Sequence, residues 1–367
     1  MKSFSIAIRR ILGAAKAHRR IVDIATRPGR PSPRDKRKQL IRRYMELFLI
    51  MARWGELSDR YYAQGMDRHG KRLSKDFLPY PKFRALRDVR NRRRTGARGF
   101  DYVCLLQDKI VFERFFSASG LPVVPSVGIL TPELRFQPTC CETAVPVTEW
   151  MHQPDELVLF CKPRLGIKGG GVFRLQIGQG ALRLDGTPAD PERLRSALQG
   201  EVVCQHLIAQ HPEYARFHPA STNTLRIITY RVGESIRVFL AYLRMGADGN
   251  ITDNDQGGRA AVRINPEDGT LEREGIYMWP NGASAVTHHP DTDVPFVGTP
   301  LRYFQEAVDI ASQAHHLLPS TIESVGWDVA VREDGPVLLE GNDDWGATSA
   351  MWVMPQFTQQ FYNRMCH

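Results

Sequence analysis

No run of about 18 apolar residues occurs in this chain, so no segment reads as a membrane-spanning helix. There is no CxxC pair either. The six cysteines are Cys104, Cys140, Cys141, Cys161, Cys204 and Cys366, and only Cys140 and Cys141 are neighbours. That pattern excludes a disulfide framework and a zinc-ligand spacing, and the expectation is a cytoplasmic chain with reduced thiols. Neither GxxxxGK[ST] nor GxGxxG is present, which removes the P-loop and the Rossmann fingerprint. The opening "MKSFSIAIRRILGAAKAHRR" has arginines inside its apolar stretch and no convincing cleavage site, so a signal peptide is not expected. Internal repeats are absent.

Charge of one sign is concentrated at one end. Residues 1–100 hold 28 Lys+Arg against 8 Asp+Glu, a balance of +20, and the remaining 267 residues hold 21 against 32, or −11, which leaves the whole chain at +9. A basic front of this kind suits an anionic membrane surface or an acidic partner, and it equally suits a solvated tail. Nucleic acid is not expected. Residues 4–24 set Ile8, Ile11, Leu12, Ala15 and Ile21 among arginines and lysines, the pattern of a basic amphipathic helix fit for a membrane surface. "RPGRPSPRDKRK" (27–38) reads as a linker. Residues 39–66 look helical, and residues 84–98 are dense in arginine. The expected division is a basic helix and linker (1–38), a helical N-terminal region (39–100), and two further units, 101–205 and 206–367.

After Asp101 the pattern becomes α+β. "QDKIVFERFFSASG" (107–120) predicts a helix closed by Gly120, and "ELVLFCKP" (156–163) a buried strand halted by Pro163. "GVFRLQI" and "EVVCQHLIA" read as strands, with the helix "PERLRSALQ" between them. "TLRIITYRV", "SIRVFLAYLRMG" and "GRAAVRI" follow as β segments, with "ADGN" and "PEDG" as hairpin turns. "PLRYFQEAVDIASQAHHLL" (300–318) is an amphipathic helix, and "GWDVAVREDGPVLLEGN" is two strands around a tight turn.

That last hairpin concentrates oxygen. With a three-residue loop, Glu333-Asp334-Gly335, Asp328 stands opposite Glu340, and Asn342 shares the face of Glu340. Two carboxylates forced together repel unless one is protonated or a cation lies between them. All-oxygen ligands suit Mg²⁺ or Mn²⁺; an arginine partner would also answer the charge. Upstream, Lys162 ends an apolar strand, and Gly166, Gly169, Gly170 and Gly171 follow it in a loop whose backbone N–H groups can approach an anion. Lys109 starts a helix, another place where phosphate is met.

Together these motifs resemble the ATP-grasp superfamily: a "DK" before a helix, a strand ending in "KP", a Gly-rich loop and a final "D…LLEGN" hairpin. "STNTLRIITYR", "HPDTDVPFVGTP" and "VGWDVAVREDGPVLLEGN" are similar, more narrowly, to sugar-transfer-associated ATP-grasp proteins, also labelled α-L-glutamate-ligase-related. The resemblance covers about residues 100–357. It implies an ATP-grasp fold, two α+β subdomains sandwiching ATP, preceded here by the basic helical region. It implies that Lys109 and Lys162 contact phosphates under the 166–171 loop. Gln205 stands where many relatives have an adenine-binding Glu, the Leu207 backbone pairs with the ring edge, and Glu213 meets the ribose. Asp328, Glu340 and Asn342 map onto the metal ligands, with Glu340 bridging two Mg²⁺ ions.

The implied reaction is an ATP-dependent carboxylate–amine or carboxylate–thiol ligation through an acyl phosphate, on a small-molecule carboxylate and an amine acceptor. The label hints at polysaccharide, cell-envelope or secondary-metabolite pathways. Arg226, Arg244 and Arg259 are candidate cations for the transition states. Asn223, Asp253, Asn254, His289 and Asp291 lie in polar loops suited to substrate contact. The alternatives are a sugar or polyol kinase on the same fold and a nucleotide-binding non-enzyme. Two departures stand out: Gly326 occupies the place where D-alanine ligases carry an arginine two residues before the metal Asp, and the N-terminal region lacks a βαβ pattern. The expected location is cytoplasmic, with a peripheral place at the inner membrane face.

Overall fold

A computed structural model describes residues 16–26, 38–55, 57, 61, 66–67, 79–91, 101–165, 170–250, 258–279, 282–354, 357 and 360. The strand patterns build two antiparallel sheets. The first has the order β3-β2-β1-β8-β4-β5-β6-β7. Its strands are β1 (Ser126–Leu130), β2 (Arg135–Pro138), β3 (Val145–Pro146), β4 (Leu157–Pro163), β5 (Phe173–Gly178), β6 (Ala181–Leu184), β7 (Thr187–Pro188) and β8 (Val202–His206). The second has the order β13-β12-β11-β10-β9-β14-β15. It comprises β9 (Thr224–Val232), β10 (Ser235–Gly246), β11 (Arg259–Ile264), β12 (Leu271–Trp279), β13 (Gly282–Val286), β14 (Ser324–Arg332) and β15 (Gly335–Asn342).

Sequence expectations locate β4, β9, β10 and β11 within a residue or two, because each is an apolar or alternating run bounded by Pro, Gly or polar turns. The strands β12 and β13 escape that reading. The charges at Glu272, Arg273 and Glu274 interrupt the alternation in β12. "PEDG" does turn the chain, with Ile264 facing Leu271. "ADGN" instead opens a longer connection, 247–258, between Gly246 and its partner Arg259. Residues 4–15 of the expected amphipathic helix and most of the 27–38 linker lie outside the described residues; 16–26 form helix α1. The helix expected over 39–66 is α2 (Leu40–Trp54), closed by Gly55 at φ 71°.

The two faces of the second sheet meet different partners. Leu225 and Ile227 of β9, with Trp327 and Val329 of β14, pack on the Ala307, Ala311 and Ala314 stripe of helix α9 (Phe304–Leu317). Helix α5 (Lys109–Ala118) closes the same core, with Phe116 edge-on to Trp327 at 5.6 Å. On the opposite face, Ile228, Leu240 and Ile276 meet Tyr80 and Phe83 of helix α3 (Tyr80–Asn91) and Ala350 and Val353 of helix α10 (Thr348–Val353). Helix α3, from the arginine-dense N-terminal stretch, is fastened to this sheet. Asn91 bonds the Ser324 and Asp343 carbonyls, each at 2.8 Å, Arg90 pairs with Glu323 at 2.8 Å, and Arg87 donates to the Trp345 carbonyl. Helices α3 and α10 cover only part of this face, and the remainder is the floor of a cleft.

Cys161 and Cys204, far apart in sequence, face each other across β4 and β8 with Sγ atoms 3.4 Å apart. Burial pushes the Cys161 thiol up, so it stays protonated and unreactive.

One buried network ties the second sheet to α9. The Trp327 indole donates to Thr229 Oγ1 at 2.9 Å, Thr229 lies 2.7 Å from His315 Nδ1, and His315 Nε2 lies 3.1 Å from the Ile322 carbonyl. A neutral His315 that donates from Nε2 and accepts at Nδ1 satisfies every member. Burial holds its pKa down at about 4, against an ordinary 6.5. The unfolded chain takes up this proton below its ordinary pKa, whereas the folded chain refuses it down to about 4. Stability therefore falls as pH drops through that window, by up to about 3 kcal/mol. Urea unfolding between pH 7 and 4 should show this decline, and His315→Gln should flatten it. An equal slope in both proteins would remove His315 as its cause.

Candidate functional site

The C-terminal hairpin reaches the expected pairing by an unexpected route. Arg332 pairs with Gly335 around a two-residue turn, Glu333-Asp334, and not the three-residue loop expected from sequence. Gly335, at φ 126°, supplies the backbone conformation this turn needs. Val329 then faces Leu338, one residue out of the expected register, until an extra residue, Leu339, bulges from β15 and places Asp328 opposite Glu340. The bulge is supported from outside: Leu338 N–H donates to the Pro122 carbonyl at 2.9 Å, and Val124 N–H to the Leu338 carbonyl at 3.3 Å.

Asp328 is buried and paired with arginine. Arg226, its neighbour across β9, donates from Nε to Oδ1 at 2.6 Å and from its terminal nitrogen to Oδ2 at 2.9 Å. Arg244 on β10 adds a bond to Oδ1 at 3.0 Å. Burial pushes the carboxyl up, but the two guanidiniums outweigh it and hold the pKa below the usual range. Glu340 differs. Burial, reinforced by the Asp328 charge, raises its pKa, with Lys109 and Lys162 pulling the other way. The Asn342 amide bridges both carboxylates, 3.2 Å from Glu340 Oε1 and 3.4 Å from Asp328 Oδ2.

Two lysines approach Glu340 from the opposite wall. Asp108 caps α5 by accepting from the N–H groups of Ile110 and Val111. The same carboxylate receives Arg164, which follows β4, at 2.8 Å, and Lys109 N–H donates to the Arg164 carbonyl at 3.2 Å. These bonds clamp the start of α5 to the end of β4 and so bring Lys109 and Lys162 to one place. Burial lowers both lysine pKa values, that of Lys162 to about 8, and Glu340 opposes the shift in each.

The cleft between the sheets is lined by Lys109, Lys162, Gly170, Gln205, Leu207, Arg226, Arg244, Arg259, Asp328, Glu340 and Asn342, and has about 230 Å³ of accessible space. Gly166, Gly169, Asp253 and Asn254 lie outside the described residues. Gly171 follows Gly170 at φ 73°, with the space above its Cα closed by Pro163. Gln205 is held by donation to the Val124 carbonyl at 2.9 Å.

Other expected contacts fall away from the cleft. Glu213 is not among its lining residues; it accepts from Arg302 N–H at 3.4 Å. Asn223 is buried and staples a loop through Gln210 and the carbonyls of Tyr214 and His218. His289 is buried against the Gly246 carbonyl at 2.8 Å, its pKa lowered by burial, and Asp291 accepts from Asp248 N–H. Asn223 and His289 satisfy buried backbone groups, whereas Asp291 is exposed and lies 3.5 Å from the His218 ring. The sequence reading passed over Tyr80, Arg174, Thr348 and Ser349, which also line the cleft. Tyr80 and Thr348 come from helices whose packing on the sheet has no local sequence signal.

A family model described as sugar-transfer associated ATP-grasp matches residues 99–356. The chain belongs to this family. Among solved structures it is similar to an ATP-grasp superfamily protein from Archaeoglobus fulgidus (13% identity, TM-score 0.33, 68% of this chain and 50% of that one). It is also similar to an L-amino acid ligase from Bacillus licheniformis (13%, 0.34, 67% and 42%) and to a D-alanine-D-alanine ligase from Helicobacter pylori (11%, 0.40, 71% and 58%). The likeness is slight, and the chain spans about half the length of the structures it matches, 42–58% of each. No curated protein matches.

In this ATP-grasp chain the absence of a side chain at Gly326 has a steric cause. A Cβ there would lie 2.6 Å from Trp345 Cβ and 3.2 Å from an Arg226 terminal nitrogen. The Arg226 guanidinium, delivered from the neighbouring strand, crowds the space an arginine at 326 would enter. Gly326→Ala should therefore destabilise the fold by about 2 kcal/mol through overpacking, read as a lowered urea midpoint. An unchanged midpoint would mean that Trp345 gives way freely.

Proposed function

We propose that the protein is an ATP-dependent ligase that activates a carboxylate as an acyl phosphate and passes it to an amine or thiol acceptor. One observation carries this reading: the buried Lys162 of β4, the part-buried Lys109 at the start of α5 and the Asp328–Glu340–Asn342 cluster of the second sheet converge in a single cleft. In this reading Lys109 and Lys162 hold the phosphates, Gln205 and Leu207 border the base, and Gly170 and Gly171 lie over the phosphates.

The side chains fit a divalent cation. Asp328, shared with Arg226 and Arg244, and Glu340 and Asn342 are hard oxygen donors within hydrogen-bonding distance of one another; burial first and Asp328 repulsion second raise the Glu340 pKa, and the repulsive part is relieved when a cation binds. Asp328 and Glu340 with Asn342 would hold Mg²⁺, the amide turning its oxygen inward. When bound, Mg²⁺ would offset charge on the nucleotide phosphates.

The chain's own residues then divide the work. Substrate carboxylate oxygen attacks the γ-phosphorus, the bond to the bridging oxygen breaks, and ADP leaves. Lys109 and Lys162 compensate the charge gathering on the transferred group. The acceptor nitrogen or sulfur next attacks the acyl carbon, inorganic phosphate departs, and the acceptor's proton passes to solvent. Arg226, Arg244 and Arg259 line the floor where that tetrahedral oxyanion would form.

Hydroxylamine added with ATP and a candidate acid should yield a hydroxamate, and Glu340→Gln should abolish it with loss of at least about a hundredfold in rate. ATP turnover that phosphorylates an alcohol and leaves no hydroxamate would replace this reading with a kinase. Lys162 provides a second check. A bound phosphate raises its pKa above about 8, so nucleotide affinity should fall as pH rises through that value. The decline to pH 9 should be about tenfold and should vanish in Lys162→Met. Identical pH profiles in the two proteins would take Lys162 off the phosphates.

A further inference from the structure

Helix α2 is apolar on both sides. Leu47 and Ile50 face inward and pack with Ile21 and Ile24 of α1. At 100° per residue, Phe48, Ile41, Ala52, Met45 and Leu49 fall in succession along the opposite face. All five are exposed, with Ile41 at 71%, Met45 and Leu49 at 51% and Phe48 at 49%. A contiguous apolar strip on the outside of a helix marks an interaction surface.

The charges around it identify what it meets. Arg42 and Arg53 border the strip, and both are exposed. Glu46 is the acidic residue of α2, and it is buried on the inner side, held by the Lys38 ammonium at 2.6 Å and the Tyr61 hydroxyl at 2.8 Å, with the half-exposed Arg42 guanidinium 3.5 Å away. The outer face of α2 thus presents cations and no carboxylate. Alongside it, α1 exposes Lys16, Arg19 and Arg20 against a single exposed carboxylate, Asp23, and it is tied to α2 by His18 and Tyr44 at 2.8 Å. The surrounding 100 residues carry +20.

We propose that the outer face of α2 lies on an anionic bilayer, with Ile41, Met45, Phe48 and Leu49 entering the headgroup boundary and Arg42 and Arg53 meeting lipid phosphates. Apolar depth and a basic rim with no exposed acid on the helix are the two requirements of an interfacial helix. A self-complementary dimer would bring like charges together across its axis, which this rim disfavours. The proposal is independent of the chemistry in the cleft.

The test uses the full chain with sedimented vesicles of phosphatidylcholine, with and without phosphatidylglycerol. Wild type should bind only the anionic vesicles, and less at high salt. The double variant Ile41→Asp, Phe48→Asp should lower partitioning by about tenfold or more, with unfolding midpoint and nucleotide binding unchanged. Ile41→Ser, Phe48→Ser gives a milder version should the aspartates disturb folding. Arg42→Glu, Arg53→Glu should lower partitioning as well. Absence of wild-type binding, or unchanged binding in the apolar variants, overturns the proposal. A dimer that the apolar variants convert to monomer, with vesicle binding intact, assigns the strip to a second copy and also overturns it.

Discussion

The pairing of Asp328 with Arg226 and Arg244 organises the second sheet. All three side chains are buried or nearly so and come from adjacent strands, so none can change partner without leaving a charge in a poorly solvated place. The group sets the register of β14 on β9 and fixes the floor of the cleft. It also keeps Asp328 ionised, and that charge adds to the effect of burial in raising the Glu340 pKa, which makes Glu340 the carboxylate most responsive to a cation. The electrostatics of the cleft follow from one cross-strand triad.

Opposing this floor is a second clamp, Asp108 with Arg164. It is part helix cap and part ion pair, and it binds the first turn of α5 to the residue after β4. Lys109 and Lys162 are thereby held at one end of the first sheet. With Lys162 buried and Lys109 part-buried, burial lowers both pKa values, and Glu340 across the cleft is the leading charge that opposes the shift. Two walls, each carrying an internal Arg–Asp pairing, set Glu340 against Lys109 and Lys162 across the cleft.

The N-terminal helices divide between two tasks. Helix α3 is structural. Its aromatic face fills the gap between the second sheet and α10, and Tyr80 reaches the cleft wall. Helix α2 spends one apolar face on α1 and keeps the other outside, with Glu46 turned inward and Arg42 and Arg53 exposed beside the outer face. A helix serving only as a solvated linker has no use for Ile41 and Phe48 on the outer face, since their exposure costs free energy.

Much of the candidate site was legible in the chain order of its residues. The apolar run of β4 ends at Lys162, the helix start at Lys109 is announced by the capping Asp108, and the apolar half of β15 runs into Glu340 and Asn342. Period and capping are local properties, so these placements survive folding. What the tertiary structure decided is everything that depends on strands or helices distant in sequence. The expected register of the last hairpin holds at Asp328 only because a bulge at Leu339 offsets a shorter turn. Arginine, and not solvent, answers Asp328 because β9 and β10 lie beside β14. Asn223 and His289 look like substrate contacts as single residues but are consumed by buried backbone groups, and Gly326 is bare because Trp345 and Arg226 close over it. Sequence by itself determined which groups carry charge and which segments become strands; the fold decided which charges meet, because the energy of a buried ion depends on its nearest partner in space and not on its neighbour in the chain.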